Sequence, residues 1–213
     1  MIPLFISYVN RYDLLTKAVC SAQCKSIEVN VLDNSDGPSL AFEGVDIVYR
    51  RPTVPLTFAH TQQWMWKIAS GDADYGPFYL WAHSDAECGE GTVEKMVELV
   101  NSLEKEGRKW ATVFSNYDSF AALKVSAVEA VGGWDPILPQ YFADNSMYRK
   151  FRLAGYEIIE SGLPVKHEPS QTIKSDPYLN FINGITFPFY EHVYRLMWGG
   201  TPGSEQFDRP FNR

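Results

Sequence analysis

The sequence predicts an α/β fold in which a mostly parallel central sheet is flanked by helices. Short apolar runs, typical of buried strands, alternate along the chain with segments whose apolar residues recur at helical spacing. The 213 residues are 45% hydrophobic and 21% charged, a composition typical of one globular domain. No linker, repeat or low-complexity stretch divides them, so we expect a single domain over residues 1–213.

The strand predictions rest on short apolar runs that are closed by turn-forming residues. In chain order they cover residues 2–9, 27–32, 45–49, 77–81, 112–114, 121–125 and 156–160. The second run, for example, stops at the turn-forming sequence DNSDG of residues 33–37.

The helix predictions rest on apolar residues three or four positions apart, such as Leu15, Val19 and Ala22. They cover residues 11–22, 57–69, 92–103 and 141–154, with a final helix in the aromatic-rich tail that follows residue 175. Gly71 and Gly155 come after the second and fourth of these helices, where glycine commonly ends a helix.

The net charge of −7 makes nucleic acid an improbable partner, because a phosphate backbone requires a basic surface. No apolar run approaches the roughly 20 residues that cross a bilayer, so we expect no transmembrane segment. The N-terminus lacks the pattern of a signal peptide, and the three cysteines do not form a disulfide framework, which predicts a cytoplasmic protein.

Three polar clusters directly follow predicted strands, at residues 7–11, 33–35 and 83–87. In open α/β sheets the ligand binds beyond the carboxyl ends of the strands, so these clusters are the candidate site. Asp33 could accept hydrogen bonds from a base or a ribose, and Arg11 could oppose a phosphate. The alternatives are a plain turn at Asp33 and a helix-capping or solvated Arg11.

The third cluster contains two carboxylates, Asp85 and Glu87, at positions i and i+2. Such a pair can hold a hard divalent cation, which would neutralise a diphosphate and stabilise it as a leaving group. Asp72 and Asp74 have the same spacing, but they precede the strand at residues 77–81 and would lie at the opposite edge of the sheet. Position therefore favours Asp85.

These motifs, with ISYVNRYDLL at residues 6–15, VLDNS at 31–35 and VGGWD at 131–135, resemble the GT-A glycosyltransferases, especially the family-2-like group. The resemblance covers residues 2 to about 172. The chain is also similar to the N-terminal glycosyltransferase domain of a multidomain protein encoded by chlorella viruses. That similarity implies a viral protein in the host cytoplasm and a possible place within a longer multidomain chain.

The resemblance implies a GT-A-like, Rossmann-like fold. Residues 1–105 would form the nucleotide-sugar-binding half, residues 106–175 the acceptor and catalytic half, and residues 176–213 a C-terminal helix and tail. The residues implied to contact the nucleotide-sugar donor are Ser7, Tyr8, Arg11, Asp33, Asn34, His83 and Ser84.

The resemblance also implies a bound Mn²⁺ or Mg²⁺. Asp85, Glu87 and His167 are the expected ligands, and which two of His83, Asp85 and Glu87 contact the metal is left open. His167 matches a histidine that many GT-A enzymes place on the metal or the diphosphate.

Asp144 is the expected catalytic base, because it occupies the position of the family's base ahead of an arginine-bearing helix. A base must lie within hydrogen-bond reach of the acceptor hydroxyl to take its proton. The alternative role of Asp144 is a helix N-cap. Trp134 and Asp135 are expected to contact the acceptor sugar, and the alternative for Trp134 is simple burial.

The function that follows is metal-dependent transfer of a hexose from a UDP-sugar to a hydroxyl of a glycan or glycoprotein. One alternative is a nucleotidyltransferase acting on sugar phosphates, although residues 7–13 lack the glycines that grip a triphosphate. The other is a non-catalytic carbohydrate-binding module that uses the abundant aromatic residues. The identity of the sugar and the choice between inversion and retention stay undecided by the sequence.

Overall fold

The computed structural model describes residues 1–168 and 170–213. The strands of this part of the chain are β1 (Ile2–Tyr8), β2 (Ile27–Asp33), β3 (Val48–Arg50), β4 (Phe78–His83), β5 (Ala86–Cys88), β6 (Trp110–Ser115), β7 (Phe120–Lys124), β8 (Glu157–Glu160) and β9 (Val165–His167). The helices are α1 (Tyr12–Ser21), α2 (Phe58–Gly71), α3 (Thr92–Lys105), α4 (Val125–Ala130), α5 (Ala143–Leu153), α6 (Gln171–Lys174) and α7 (Pro177–Trp198), followed by a 3-10 turn at Pro210–Asn212.

Seven strands form a central sheet in the order β3-β2-β1-β4-β7-β6-β8. Four of the six neighbouring pairs are parallel, and the two antiparallel pairs both involve β7. The sheet is therefore mostly parallel, as the alternation of strands and helices predicts. A small second sheet joins β5 to β9 in antiparallel fashion. We call the side of the main sheet at which β1, β2 and β4 end the carboxyl edge.

The central strands are buried on both faces, which explains why they are continuous apolar runs in the sequence. Leu4 and Ile6 of β1 pack into a core covered by α1 and α3. Phe5, between them, faces a second core covered by α2, α4, α5 and α7. Burying each such side chain contributes about 1.5–3 kcal/mol, so β1 and its neighbours form a rigid platform for the residues that follow them.

The last helix, α7, closes the second core. Asp176 caps its N-terminus by accepting hydrogen bonds from the backbone N–H groups of Tyr178 and Leu179. Tyr194 and Trp198, near its other end, are fully buried. The predicted packing of the aromatic tail onto the sheet is thus present, and the start of α7 is held near the carboxyl edge.

The predicted elements are found with small shifts in their ends. Residue 125 begins α4 instead of ending a strand, and α4 was not predicted. The helix predicted from residue 141 begins at Ala143, because Phe142 has a left-handed backbone conformation with φ of 62°. None of the helices in the ranges 1–168 and 170–213 is both long and apolar enough to cross a membrane.

Candidate functional site

The three polar clusters predicted from the sequence meet at the carboxyl edge. Ser7 of β1 lies beside His83 of β4 in the parallel pairing of these strands. On the other side of β1, Tyr8 lies beside Asp33 of β2. Ser84, directly after β4, is buried. The order of the strands therefore brings residues that are up to about 75 positions apart into one region.

The second acidic pair with this spacing lies outside the region. Asp72 and Asp74 are exposed and precede β4. The backbone carbonyl of Asp74 accepts a hydrogen bond from the N-terminal amino group of Met1, 3.0 Å away, at the start of β1. These carboxylates are consequently at the amino edge of the sheet, remote from the other clusters.

Next to Ser7, three side chains form what we call the His–Asp cluster: His83, Asp85 and His167. Oδ1 of Asp85 lies 3.2 Å from Nε2 of His167 and 3.8 Å from Nδ1 of His83. The two imidazole rings meet edge to face with 5.0 Å between their centroids. The pairing of β5 with β9 places His167 opposite Ala86, next to Asp85 in the chain.

The electrostatics of the cluster suit a cation. Burial disfavours the charged form of Asp85, but the two histidine rings outweigh it and hold the pKa of Asp85 below its usual value. Burial and the neighbouring His167 ring lower the pKa of His83 well below its usual value, so that ring is neutral near pH 7 and offers a lone pair.

The environment of the His167 ring indicates that a metal ion fits this cluster. Its Nε2 atom is buried and lies 3.2 Å from Oδ1 of Asp85, but no contact within the described residues has the geometry of a hydrogen bond, which is unusual for a buried polar atom. The candidate ligand atoms of His83, Asp85 and His167 all lie within 4.8 Å of one another. Two imidazoles and one carboxylate are a donor set that binds divalent transition metals, so the residues present fit a metal ion.

Glu87, also expected to bind the metal, is not in this cluster. Directly opposed residues of an antiparallel pair share a face of the sheet. Glu87 is opposite Lys166, whereas His167 is opposite Ala86, so Glu87 and His167 are on different faces. Asp85 belongs to the turn before β5, and the spacing between Asp85 and Glu87 therefore does not place them on one side.

A cleft of about 690 Å³ opens beside the ends of β1 and β2. Tyr8, Arg11 and Asn34, all expected to contact the donor, line it. The start of α7, with Tyr178 and Leu179, forms another part of its wall. The contribution of α7 was not predicted, because no local pattern indicates where a terminal helix returns to the sheet.

Hydrogen bonds hold the side chain of Asn34 in place at the base of the cleft. The side chain of Asn34 accepts from the backbone N–H of Leu56 at 3.1 Å and donates to the hydroxyl of Thr61 at 3.0 Å. Arg11 begins α1 in a left-handed conformation, and its guanidinium pairs with Asp13 at 2.7 Å. Arg11 is thus the N-cap residue of α1 and also lines the cleft, and Asp13 balances part of its charge.

Asp33 is almost fully buried, and its carboxylate already has protein partners. One oxygen accepts the backbone N–H of Ser35 at 2.9 Å, and the other accepts the hydroxyl of Tyr49 and lies 3.7 Å from Arg51. Asp33 therefore organises the turn after β2, in agreement with the alternative given for it. It supports the cleft from below and does not line it.

In the predicted acceptor half, Asp144 lies in the first turn of α5. It is not the N-cap, because Phe142 occupies that position. Trp134 is only 6% exposed and packs edge to face on Phe58. Asp135 lies 3.3 Å from Nζ of Lys150, so neither Trp134 nor Asp135 is presented as a free sugar-binding side chain.

Asp118 and Tyr148 are further candidate site residues that were not predicted from the sequence. Asp118 lies in the hairpin between β6 and β7, and it accepts a hydrogen bond of 2.6 Å from the hydroxyl of Tyr148 on α5. The signal available in the sequence was the run Asn116-Tyr117-Asp118 between two apolar strands, but such a run is equally typical of an ordinary turn.

Comparison with known proteins supports the fold. No protein-family model matches the sequence, and no curated protein matches it. Among solved structures, the crystal structure of S. aureus TarS 1-349 matches with a TM-score of 0.56 and 10% sequence identity. The match covers 75% of this chain, which spans 57% of that one. A match at this level of identity shows the fold alone, and the predicted α/β, GT-A-like class of fold is confirmed.

Proposed function

We propose that this chain is a metal-dependent glycosyltransferase that moves a hexose from a UDP-sugar to a hydroxyl of a glycan or glycoprotein. The observation that carries the proposal is the His–Asp cluster, which lies at the carboxyl edge of a glycosyltransferase fold, where the end of β4 is next to β1 and the end of β1 lines the cleft. A sheet of this kind binds its ligand at that edge.

We assign the metal to His83, Asp85 and His167, with Mn²⁺ preferred to Mg²⁺ because imidazole is a poor ligand for Mg²⁺. A divalent cation bound there would offset the negative charge of the donor diphosphate and stabilise it as it leaves. The short contacts among the three side chains hold them ready for one ion, which reduces the cost of ordering them on binding.

The nucleoside and diphosphate of the donor would occupy the cleft. Tyr8 and Asn34 are held in place by β1 and by hydrogen bonds, and they can orient the nucleoside. Arg11 is the basic residue of the lining, but Asp13 already pairs with it, and Asp36 and Asp176 also line the cleft. The lining thus cannot neutralise a diphosphate by itself, which supports a requirement for the metal.

In the transfer step, Asp144 would accept the proton of the acceptor hydroxyl while that oxygen attacks the anomeric carbon. The bond from that carbon to the diphosphate breaks, and its electron pair leaves with the diphosphate. This single displacement inverts the anomeric configuration. NMR of the product's anomeric proton tests it, and retention of configuration would remove Asp144 from the role of base.

The decisive experiment is a screen of UDP-, GDP- and dTDP-sugars for Mn²⁺-dependent hydrolysis, combined with calorimetric titration of UDP with and without Mn²⁺. We expect UDP-sugars to be hydrolysed and UDP to bind tightly only with the metal. Release of pyrophosphate from a nucleoside triphosphate would instead indicate a nucleotidyltransferase. Binding of a free glycan without metal, and no binding of any nucleotide, would indicate a carbohydrate-binding module.

The cellular context belongs to the same proposal. A cytoplasmic location is predicted from the sequence, whereas a viral origin and a place within a longer multidomain chain are implied only by the resemblance to the chlorella virus protein, which no comparison supports; all three stay predictions. So does the division into a donor half over residues 1–105, an acceptor half over 106–175 and a C-terminal helix and tail over 176–213.

A further inference from the structure

A second group of titratable side chains lies outside the His–Asp cluster. It consists of Asp118 from the hairpin between β6 and β7 and of Asp144 and Tyr148 from α5. Both aspartates are partly buried. The hairpin reaches the carboxyl edge, because the backbone carbonyl of Ser119 accepts the N–H of His83 at 2.9 Å.

The backbone of the hairpin is unusual. Asn116, Tyr117 and Asp118 all have left-handed conformations, with φ of 46°, 54° and 54°. Each such residue costs about 1 kcal/mol or more when it is not glycine, and strain of this kind clusters at functional sites. The Asn116 side chain fastens the hairpin to the Val165 carbonyl at 2.8 Å. The result is that Tyr117 is almost fully exposed while Asp118 turns towards α5.

The helix presents two partners to Asp118. Asp144 and Tyr148 are four residues apart in α5 and hence on one face of it. The Tyr148 hydroxyl donates to Oδ2 of Asp118 at 2.6 Å, and Asp118 is close enough to Asp144 for the charge of Asp144 to act on it.

No basic side chain of the described residues forms an ion pair with Asp118 or Asp144. The neighbouring cations of α5 are engaged elsewhere. Arg149 pairs with Asp208, and Lys150 pairs with Asp135. The two carboxyl groups therefore interact without a compensating ion pair.

We propose that Asp118 is a positioning residue for Asp144: the two carboxyl groups form a pair, anchored by Tyr148, that takes up its first proton near neutral pH. Two facing carboxylates in a partly buried site cannot both be ionised at low cost. In agreement with this, burial and the facing Asp144 raise the pKa of Asp118 to about 7, and burial raises the pKa of Asp144.

The consequence for catalysis rests on the proposed function. A lone carboxylate is a weak base near pH 7, whereas two neighbouring carboxylates that are both ionised have a greater affinity for their first proton, because that proton relieves their mutual repulsion. Such a base is better matched to the acceptor hydroxyl, whose proton passes to Asp144 as the new glycosidic bond forms and the bond to the diphosphate breaks.

The test measures the carboxyl groups directly. We would label the full chain with ¹³C at the aspartate carboxyl carbons and follow their chemical shifts by NMR from pH 3 to pH 9, without donor or metal. Asp118→Asn and Asp144→Asn assign the two signals. We expect one carboxyl of the pair to titrate near pH 7, and we expect the Asp144 signal in Asp118→Asn to titrate about one pH unit lower or more. Two independent titrations near pH 4 would overturn the proposal.

Two further measurements separate this role from a purely structural one. Asp144→Asn gives a second comparison even if Asp118→Asn folds poorly: the Asp118 signal should titrate at lower pH than in the wild type, and an unshifted Asp118 titration would also overturn the proposal. In a transfer assay, the acidic limb of the kcat/KM profile should move to lower pH in Asp118→Asn with the donor KM unchanged. A uniform loss at every pH would indicate a structural role. Because the NMR titration needs no substrate, it succeeds or fails independently of UDP binding.

Discussion

Replacing Asp85 by asparagine tests the proposed metal site most directly. Asp85 supplies the carboxylate of the His–Asp cluster, and its Oδ1 atom lies near both imidazole rings, at 3.2 Å from His167 and 3.8 Å from His83. Asparagine has nearly the same shape but carries no charge. The variant therefore removes the anionic ligand while leaving the packing around it, where the side chain is 7% exposed, almost unchanged.

The size of the effect follows from the number of ligands. Losing a residue that merely orients a metal ligand typically costs 10–100-fold in affinity, so losing one of three ligands should cost about 100-fold or more. That is about 2.7 kcal/mol, since each factor of ten corresponds to 1.36 kcal/mol. The free energy of unfolding should change by about 1 kcal/mol or less, because an amide can replace the carboxylate as a hydrogen-bond acceptor.

Calorimetry of Mn²⁺ and of UDP with Mn²⁺ measures both affinities, and thermal unfolding checks the fold. The matched control is Glu87→Gln, the same chemical change two residues away on the other face of the β5–β9 pair. We expect the control to bind Mn²⁺ like the wild type. If Asp85→Asn binds Mn²⁺ and UDP normally, or if Glu87→Gln loses them instead, the assignment of the metal to the His–Asp cluster is refuted.

Three other variants test separate parts of the structure. Asp144→Asn should bind UDP like the wild type but lose transfer by about 100-fold or more in a product assay, and full turnover would exclude it as the base. Gly133→Ala should lower the free energy of unfolding in denaturant melts by about 1 kcal/mol more than Gly132→Ala does. Both glycines have positive φ, but only at Gly133 would a new Cβ meet the Gln63 side chain, at 2.5 Å, and break the hydrogen bond that Gln63 accepts from the N–H of Trp134. Equal losses in the two variants would contradict this. The melting temperature of the wild type relative to that of Asp118→Asn should fall between pH 4 and pH 7, because the pKa of Asp118 is raised to about 7 in the folded state from 3.8, so the folded chain holds a proton that the unfolded chain has released. The lowered pKa of His83 acts in the opposite sense over this range but is common to both proteins, and a constant difference between the two would count against the prediction.

The fold was predictable because its strands are buried on both sides. Strands such as β1 and β4 read as continuous apolar runs, and the helices between them show clear periodicity. The convergence of the polar clusters was predictable for a topological reason, since parallel strands all end at the same edge. That argument also separated the region of Asp85 from Asp72 and Asp74, which have an equally acidic pattern.

The details of the site depended on contacts that local patterns do not encode. The strands β5 and β9 have only three residues each, yet their register places His167 beside Asp85 and turns Glu87 to the other face. Asp118 and Tyr148 are 30 positions apart, and a hairpin with three left-handed residues was needed to join them. The burial of Asp33 and Trp134 likewise depends on neighbours from other elements.

The hairpin between β6 and β7 explains how the two clusters are held at a fixed separation. Ser119 binds the backbone of His83, and Asn116 binds the carbonyl of Val165, so the hairpin is tied to both strands that carry the histidines. Between these two hydrogen bonds, Asp118 accepts a hydrogen bond from Tyr148 of α5, the helix that carries the candidate base. A flexible hairpin would let the metal ligands and the base move independently, and misplacement by about 1 Å can cost 100-fold in rate. The strained backbone of residues 116–118 therefore sets the distance between the proposed metal site and the proposed base.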